Sequence, residues 1–401
     1  MMNGALIEKV EYLVGSYEIA CNMSEIPSLI PFNEIVCAFL FDLSEKLMKN
    51  PDVRSFPDMT TYAFWIRKAS VKKMKGDFSE DFSGYLLGKG LVFHIAPSNV
   101  PMNFAYSLTV GLLMGNANIV RVPSKNFQQI EIFCREIEAV LEKHADIRPY
   151  VCLVRYGHEK DVNDYFSSMC DERVVWGGDN TISELRKSPL PSRSHEIAFA
   201  DRYSLAVIDA DYYIESDDKR RIAMDFYNDT YLTDQNACTS PKIVIWVGKQ
   251  LEVAKNFFWN NLFEIVEQKY PFNPIQAVDK LDMSCKAAVE MSDTEIERGY
   301  DNRLVRIKIQ ELCEKLMDYT CHSGFFYEYD CKDIMEISVL CNNKRCQTIS
   351  YIGNKDMFET LVKSGVKGVD RIVPIGKTMD FDLIWDGYDL RRHLTRIVSV
   401  G

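Results

Sequence analysis

Two short stretches hold residues whose types could do covalent chemistry. The first is Thr233-Asp234-Gln235-Asn236-Ala237-Cys238-Thr239-Ser240-Pro241-Lys242, a polar, small-residue loop with one cysteine, set between a helical stretch (221–230) and an apolar strand (243–247). A thiolate is a good nucleophile and a good leaving group, so an activated cysteine can hold an acyl group as a thioester. The bland alternative is a small apolar side chain in a core. The second stretch is Pro97-Ser98-Asn99-Val100-Pro101, an asparagine between two prolines. Such an asparagine either satisfies its own backbone in a turn or presents its amide to a ligand. A free thiol titrates near pKa 8.5, so Cys238 needs an activating neighbour. Sequence spacing puts no histidine there. His94 lies near Asn99 but within a strand, and it reads as a core residue.

The elements around these stretches alternate. Residues 1 to about 75 read as helical, with Ile7, Val10, Tyr12 and Leu13 on one face and Phe39, Leu40, Leu43 and Leu47 on another. Lys68, Lys72, Lys73 and Lys75 form a short basic run that reads as a solvated helix face. From about residue 84 the rhythm changes. Residues 91–96, 119–122, 150–154 and 173–176 read as strands. Residues 104–114 read as a buried helix, and Ile130, Phe133, Ile137, Val140 and Leu141 have helical spacing. Gly177-Gly178-Asp179-Asn180 turns into a short polar helix. Strands separated by helices predict parallel βαβ units and a doubly wound sheet, with ligands bound at loops beyond the strand carboxyl ends. A second series starts at 205–208 and includes a helix at 251–266. Residues 268–300 show no clear pattern. The expected division is 1–205 (N-terminal helices and a nucleotide-binding domain), 206–385 (the cysteine domain) and 386–401 (a C-terminal segment).

Bulk properties narrow the class. The chain has 401 residues, is 47% hydrophobic and 26% charged, and carries a net charge of -11. That balance argues against nonspecific nucleic-acid binding, which draws on clustered lysine and arginine. The start of the chain, with Glu8, has no secretory pattern, and the longest near-apolar run, 104–114, is too short to span a bilayer. The twelve cysteines are scattered, which fits free thiols in the cytoplasm better than disulfide staples. Cys321-His322, Cys331, Cys341 and Cys346 form the one local cluster, and their spacings fit no common zinc pattern, so no metal is expected.

No Gly-x-Gly-x-x-Gly follows the first strand of the alternating region, so the standard dinucleotide fingerprint is missing. What is present, in order, is the Asn99 loop, a Pro123-Ser124-Lys125 turn after a strand, a Gly177-Gly178 loop and the Gln235-to-Pro241 run. Together these resemble the aldehyde dehydrogenase superfamily. The run 86–101, the cysteine run and the tail 371–396 are similar to the bacterial long-chain fatty acyl-CoA reductases. These are the reductase component of the luminescence fatty-acid reductase complex and its non-luminous relatives. The resemblance covers about residue 80 to the end. It implies two doubly wound αβ domains with the active site in the cleft between them, Cys238 as nucleophile, and Asn99 with the Cys238 backbone N–H as oxyanion donors. It further implies a nicotinamide cofactor that reduces a cysteine-bound acyl group to the aldehyde.

Two departures from ordinary aldehyde dehydrogenases refine this. Hydrolytic members carry a glutamate before a Gly-Gly-Lys-Ser-like run, as base for the deacylating water. The corresponding stretch here is Ile197-Ala198-Phe199-Ala200-Asp201-Arg202-Tyr203-Ser204. Its lack of that glutamate fits acyl reduction, leaving Glu196 and Asp201 as candidate bases or plain surface carboxylates. Many NAD-linked relatives have Lys-Pro-Ser-Glu in the cofactor loop, where this chain has Arg121-Val122-Pro123-Ser124-Lys125. A cation at Lys125 can pair with a 2′-phosphate, which favours NADPH. The expected cofactor residues are Arg121, Pro123, Ser124, Lys125, Gly177, Gly178 and Asp179.

Three readings stand at this level: an NADPH-dependent acyl-thioester reductase, an aldehyde dehydrogenase that oxidises its substrate, and a non-catalytic acyl-carrying subunit. For the first, the resemblance implies an acyl-CoA or acyl-protein donor, an acyl-activating synthetase as partner, and a homo-oligomer.

Overall fold

The apolar runs after residue 84 become neighbouring strands of one sheet. The computed structural model describes residues 9–81, 85–291, 293–297 and 299–400. The chain divides into two compact units: Met1–Ala200 with Phe381–Gly401, and Asp201–Asp380.

The first unit contains β1 (Glu11–Val14), β2 (Tyr85–Gly88), β3 (Leu91–Ile95), β4 (Ala117–Arg121), β5 (Val151–Arg155), β6 (Glu172–Trp176) and β7 (His195–Phe199). Its main sheet runs β1-β5-β4-β3-β6-β7. All neighbours are parallel except β1 against β5. Every residue of β3 is buried, the pattern of a strand covered on both faces. The chain runs outward from β3 through β4 to β5, then crosses back to β6 and β7. That reversal creates a switch point between β3 and β6, where the connecting loops diverge and a ligand crevice can form.

The helix Asn103–Leu113 joins β3 to β4 and is buried from Phe104 onward. Gly111 allows its close approach to the sheet, since a Cβ there would meet Asn118 Oδ1 at 1.8 Å. The helix Gln128–Leu141 buries Ile130, Phe133, Ile137, Val140 and Leu141, the face its spacing predicts. The helix Glu34–Lys49 likewise buries Phe39, Leu40, Leu43 and Leu47. Lys68, Lys72, Lys73 and Lys75 are exposed on the helix Lys68–Asp81.

One expectation fails. Tyr12 and Leu13 are not helical; they lie in β1, paired antiparallel with β5. Four residues of Tyr-Leu-Val character gain more from capping an open sheet edge than a short isolated helix gains from its own turns. Ile7, assigned to the same helical face, lies outside the described residues.

The second unit contains β8 (Tyr203–Asp209), β9 (Pro241–Val247), β10 (Glu295–Glu297), β11 (Val305–Lys308), β12 (Phe325–Asp330), β13 (Cys346–Ile352) and β14 (Arg371–Pro374). They form one sheet in the order β10-β11-β12-β9-β8-β13-β14. Only β10 is antiparallel to its neighbour. The patternless region 268–300 contains the helix Pro274–Glu290, started by a capping box between Asn273 and Gln276. β8, β9 and β12 are parallel and adjacent, so the segments entering them converge on one edge of the sheet.

Residues from Phe381 return to the first unit. They form a hairpin of β15 (Ile384–Trp385) and β16 (Tyr388–Asp389), then β17 (Thr395–Val398), which pairs antiparallel with β2. The Phe381 ring stacks on Tyr106 at 5.3 Å. The Tyr106 hydroxyl donates to the Asp382 carbonyl at 2.6 Å, and Asn116 Nδ2 donates to the Leu394 carbonyl at 2.9 Å.

Candidate active site

Cys238 sits in the segment that enters β9. The helix Lys219–Thr230 ends just before it, and the backbone then reverses through Asp234 (φ 51°) and Gln235 (φ 58°). Aspartate tolerates left-handed backbone but glutamine does not favour it, so something must hold the turn at Gln235. Its own fully buried side chain does. Its Nε2 donates to the Pro241 carbonyl at 2.9 Å and the Phe325 carbonyl at 3.0 Å, and its Oε1 accepts from the N–H groups of Gly324 at 2.9 Å and Phe325 at 3.1 Å. The loop ends are tied as well. The Ser204 hydroxyl donates to the Cys238 carbonyl at 2.7 Å, and the Ser240 hydroxyl to the Asp229 carbonyl at 2.7 Å. Cys238 itself is partly exposed. A rigid loop holding an accessible sulfur is the arrangement a nucleophile requires.

Lys242, at the start of β9, is only 7% exposed. Its ammonium faces three acceptors: the Gln235 carbonyl, the Cys321 carbonyl at 3.3 Å and His322 Nδ1 at 3.2 Å. Burial pushes its pKa down to about 8, while the fields of Cys321, Asp201 and Cys238 act in the opposite direction. His322 is also pushed down, first by burial and then by Lys242. The turn that carries His322 is held against the cysteine loop by the Ser323 N–H, which donates to the Asp234 carbonyl at 3.0 Å.

In the first unit, the loops after β3, β4 and β6 leave the carboxyl edge of the sheet beside the switch point. Ser98 and Asn99 are exposed on the first, and Ser124 and Lys125 on the second, while Pro123 is buried beneath them. The Lys125 ammonium lies 5.3 Å from the centre of the Phe127 ring. Arg121 is turned away to structural work. Its guanidinium donates to the Gly157 carbonyl and stacks over Tyr156 at 4.6 Å. On the third loop, a Cβ on Gly178 would meet no atom within 4 Å, and one on Gly177 would touch Thr181 at 3.2 Å. Asp179 opens the seven-residue helix Asp179–Leu185 and is exposed. Open backbone at Gly178 and exposed hydroxyl and ammonium groups after β4 are chemically suited to a phosphorylated dinucleotide.

The remaining candidates separate clearly. His94 is buried and neutral, its pKa pushed down to about 4 by burial. Nδ1 is 2.7 Å from Ser107 Oγ and Nε2 is 3.0 Å from Asn118 Oδ1. Glu196 is held between Arg173 at 2.6 Å and Arg186 at 2.8 Å, a structural ion-pair cluster rather than a poised base. Asp201 is exposed, and its field reaches Lys242 and His322. Cys321, Cys331, Cys341 and Cys346 pack in the second unit's apolar core. Sequence reasoning missed the roles of Gln235 and Lys242 because their partners, Phe325 and His322, lie 80 to 90 residues away in the chain.

The two units, one with open loops at a switch point and one with a clamped cysteine, have an aldehyde dehydrogenase-like fold. The NAD-dependent benzaldehyde dehydrogenase of Corynebacterium glutamicum has the same fold, with a TM-score of 0.62 at 13% identity over 94% of this chain and 86% of that one. More specifically, residues 77–398 match the model of the acyl-CoA reductase (LuxC) family, and the chain belongs to that family. It is similar to the long-chain acyl-protein thioester reductases of Aliivibrio fischeri and Vibrio harveyi. The first is 24% identical over 324 residues, or 78% of this chain; the second is 24% identical over 321 residues, or 77%. This chain spans 64% and 63% of the lengths of those two relatives.

Proposed function

We propose that this chain reduces an acyl thioester to the aldehyde through an acyl group held on Cys238. The observation that carries the reading is Cys238, partly exposed on a loop fixed by the buried Gln235 amide, in a chain of the acyl-CoA reductase family. The Cys238 thiolate attacks the thioester carbonyl, and the oxyanion is met by the Asn99 amide and the Cys238 N–H. Collapse expels the donor thiol, which takes up a proton, and leaves a Cys238 thioester. A bound nicotinamide supplies the hydride that reduces this thioester. The resulting hemithioacetal then collapses to the aldehyde and regenerates the Cys238 thiolate.

NADPH is the cofactor in this reading. Lys125 and Ser124 would hold its 2′-phosphate side, and the Gly177-Gly178 backbone would let its pyrophosphate approach. Pro123 shapes the loop and Arg121 braces its base, while Asp179 opens the helix behind the glycines. The donor is an acyl-CoA or an acyl group carried on a protein; the family description and the relatives' names support both. An acyl-activating synthetase as supplier and a homo-oligomeric state complete the proposal. The cytoplasm is its setting, supported by the absence of disulfides among the described residues. No helix among them is long and apolar enough to cross a membrane.

Incubation with long-chain acyl-CoA should add the acyl mass to the Cys238 peptide, and NADPH should then release aldehyde. Cys238→Ala should lose both while still binding NADPH. Near-wild-type aldehyde production by Cys238→Ala would overturn the reading, as would acid as the sole product.

A further inference from the structure

Asp229, near the end of the helix Lys219–Thr230, is a carboxylate only 1% exposed. Among the described residues, no cationic nitrogen lies within ion-pairing distance of it. Backbone N–H groups meet it instead: Oδ2 accepts from Gly376 at 2.6 Å and Oδ1 from Thr378 at 3.2 Å. A buried charge without a counter-charge is costly, and such a group keeps its proton. The buried Thr378 hydroxyl lies beside the carboxyl group and can accept that proton. The same residue also holds the cysteine loop. Its backbone carbonyl accepts the Ser240 hydroxyl at 2.7 Å, two residues past Cys238. The segment it fastens, 376–380, is the last stretch of the second unit. Within that segment, the Met379 sulfur lies 3.2 Å from the hydroxyl of Thr239, the residue after Cys238. One side chain therefore ties the segment and the cysteine loop to a single helix.

The charged groups around Asp229 are otherwise engaged. On its own helix, Arg221 is 3.9 Å from Asp218, and Asp225 is a like charge. On the segment, Lys377 pairs with Asp380 at 2.9 Å. Arg371 in β14 donates to the Thr378 carbonyl at 3.2 Å. The cysteine loop brings the Cys238 thiol, and β9 brings Lys242, bound to Gln235, Cys321 and His322. Burial pushes the Asp229 carboxyl up to about 7, with Asp225 adding to it and the Gly376 and Thr378 contacts pulling the other way.

We propose that Asp229 is a positioning residue that works as a latch: protonated, it fastens segment 376–380 against the cysteine loop, and ionised, it lets the segment swing away and widens the approach to Cys238. On opening, the proton leaves for water and water solvates the carboxylate, which returns to an ordinary value of about 4. The closed state thus binds the proton more tightly. Closure is strongest below about pH 4 and is lost progressively as pH rises to about 7, above which it levels off. This inference rests on the acyl-enzyme reading for its purpose but not for its test.

Hydrogen exchange followed by mass spectrometry on the full chain reads the latch. Protection of a peptide covering 375–380, corrected for the pH dependence of intrinsic exchange, should fall at least about tenfold between pH 5 and pH 8. D229N, which cannot ionise, should show no such fall, and D225N, which removes the like charge, should shrink it. Access to the cysteine is read by the ratio of two Cys238 alkylation rates, with N-(1-pyrenyl)maleimide and with N-ethylmaleimide. Both attack the same thiolate, so the ratio cancels its population. The ratio should rise over the same pH range in wild type and stay level in D229N, which a purely structural role would not produce. Constant protection in wild type, a D229N profile that follows wild type, or an undiminished fall in D225N overturns the latch. A constant maleimide ratio in wild type overturns its action on Cys238. If D229N does not fold, the wild-type and D225N profiles decide. Neither readout needs turnover. Failure of the acyl-enzyme reading would appear as aldehyde production retained in Cys238→Ala, with the exchange profile intact.

Discussion

Gln235 and Phe325 exchange two hydrogen bonds: the glutamine Nε2 donates to the Phe325 carbonyl at 3.0 Å and its Oε1 accepts the Phe325 N–H at 3.1 Å. A side-chain amide thus stands in for a neighbouring strand and anchors the cysteine loop to the start of β12. Gln235→Ala would leave buried donors and acceptors without partners, at a cost of about 3 kcal/mol. Urea denaturation should read that loss. Gln235→Glu should lose most of it too, because a carboxylate accepts but does not donate. A change under about 0.5 kcal/mol would show that water replaces the clamp.

Asn99 belongs to the first unit and Cys238 to the second. Its proposed role is stabilisation of negative charge on the acyl oxygen, not binding of the thiol. Asn99→Ala should slow single-turnover acylation by about 10²-fold and leave iodoacetamide alkylation of Cys238 at the wild-type rate. Equal acylation rates in wild type and variant would return Asn99 to the role of a turn residue.

Lys125 is the exposed cation on the loop after β4, Arg121 being engaged with Gly157 and Tyr156. Lys125→Glu should weaken NADPH binding about tenfold or more, the worth of one charge-assisted contact, and spare NADH. Fluorescence titration with both nucleotides checks this. A parallel loss for the two cofactors would remove the loop from 2′-phosphate recognition.

His94 makes a pH prediction. Its buried, neutral ring has a folded pKa of about 4, against about 6.5 in the unfolded chain. Between those values the unfolded chain binds more protons, so the stability that depends on neutral His94 is full above about pH 6.5 and is lost as pH falls towards 4. His94→Gln should be less stable than wild type at pH 7, and the gap in Tm should narrow steadily down to pH 4. A gap independent of pH would mean the ring titrates in the fold as it does in the unfolded chain.

The sequence reveals the parts of this chain governed by local pattern. The strand at β3 and the helix Gln128–Leu141 announce themselves by apolar runs and helical spacing. The Asn99, Pro123–Lys125 and Gly177-Gly178 loops show by residue type and by following strands. β1 is hidden because its pairing with β5 spans about 140 residues, and its helical spacing is coincidental. Within the candidate site the cysteine is visible, but its setting is not. Gln235 looks like one more polar loop residue, and Lys242 like a solvated charge. Their burial depends on the turn before β12, which no local rule connects to them. His322 was readable only as half of a Cys-His pair, a pattern that points to metals rather than to a lysine's third acceptor.

The route of the backbone has a consequence for how the molecule is made. The first unit is interrupted at residue 200 and resumes at 381, and its late residues are interior ones: Leu383, Trp385, Leu390 and Leu394 are buried in its core, and β17 is the partner of β2. A ribosome completes every residue of the second unit before it supplies these. During synthesis the second unit can therefore finish folding while the earlier-made one waits with an open flank, the reverse of the usual N-terminal-first order. A nonsense change at residue 381 would spare every residue of the cysteine-bearing unit and leave the first unit short of part of its core.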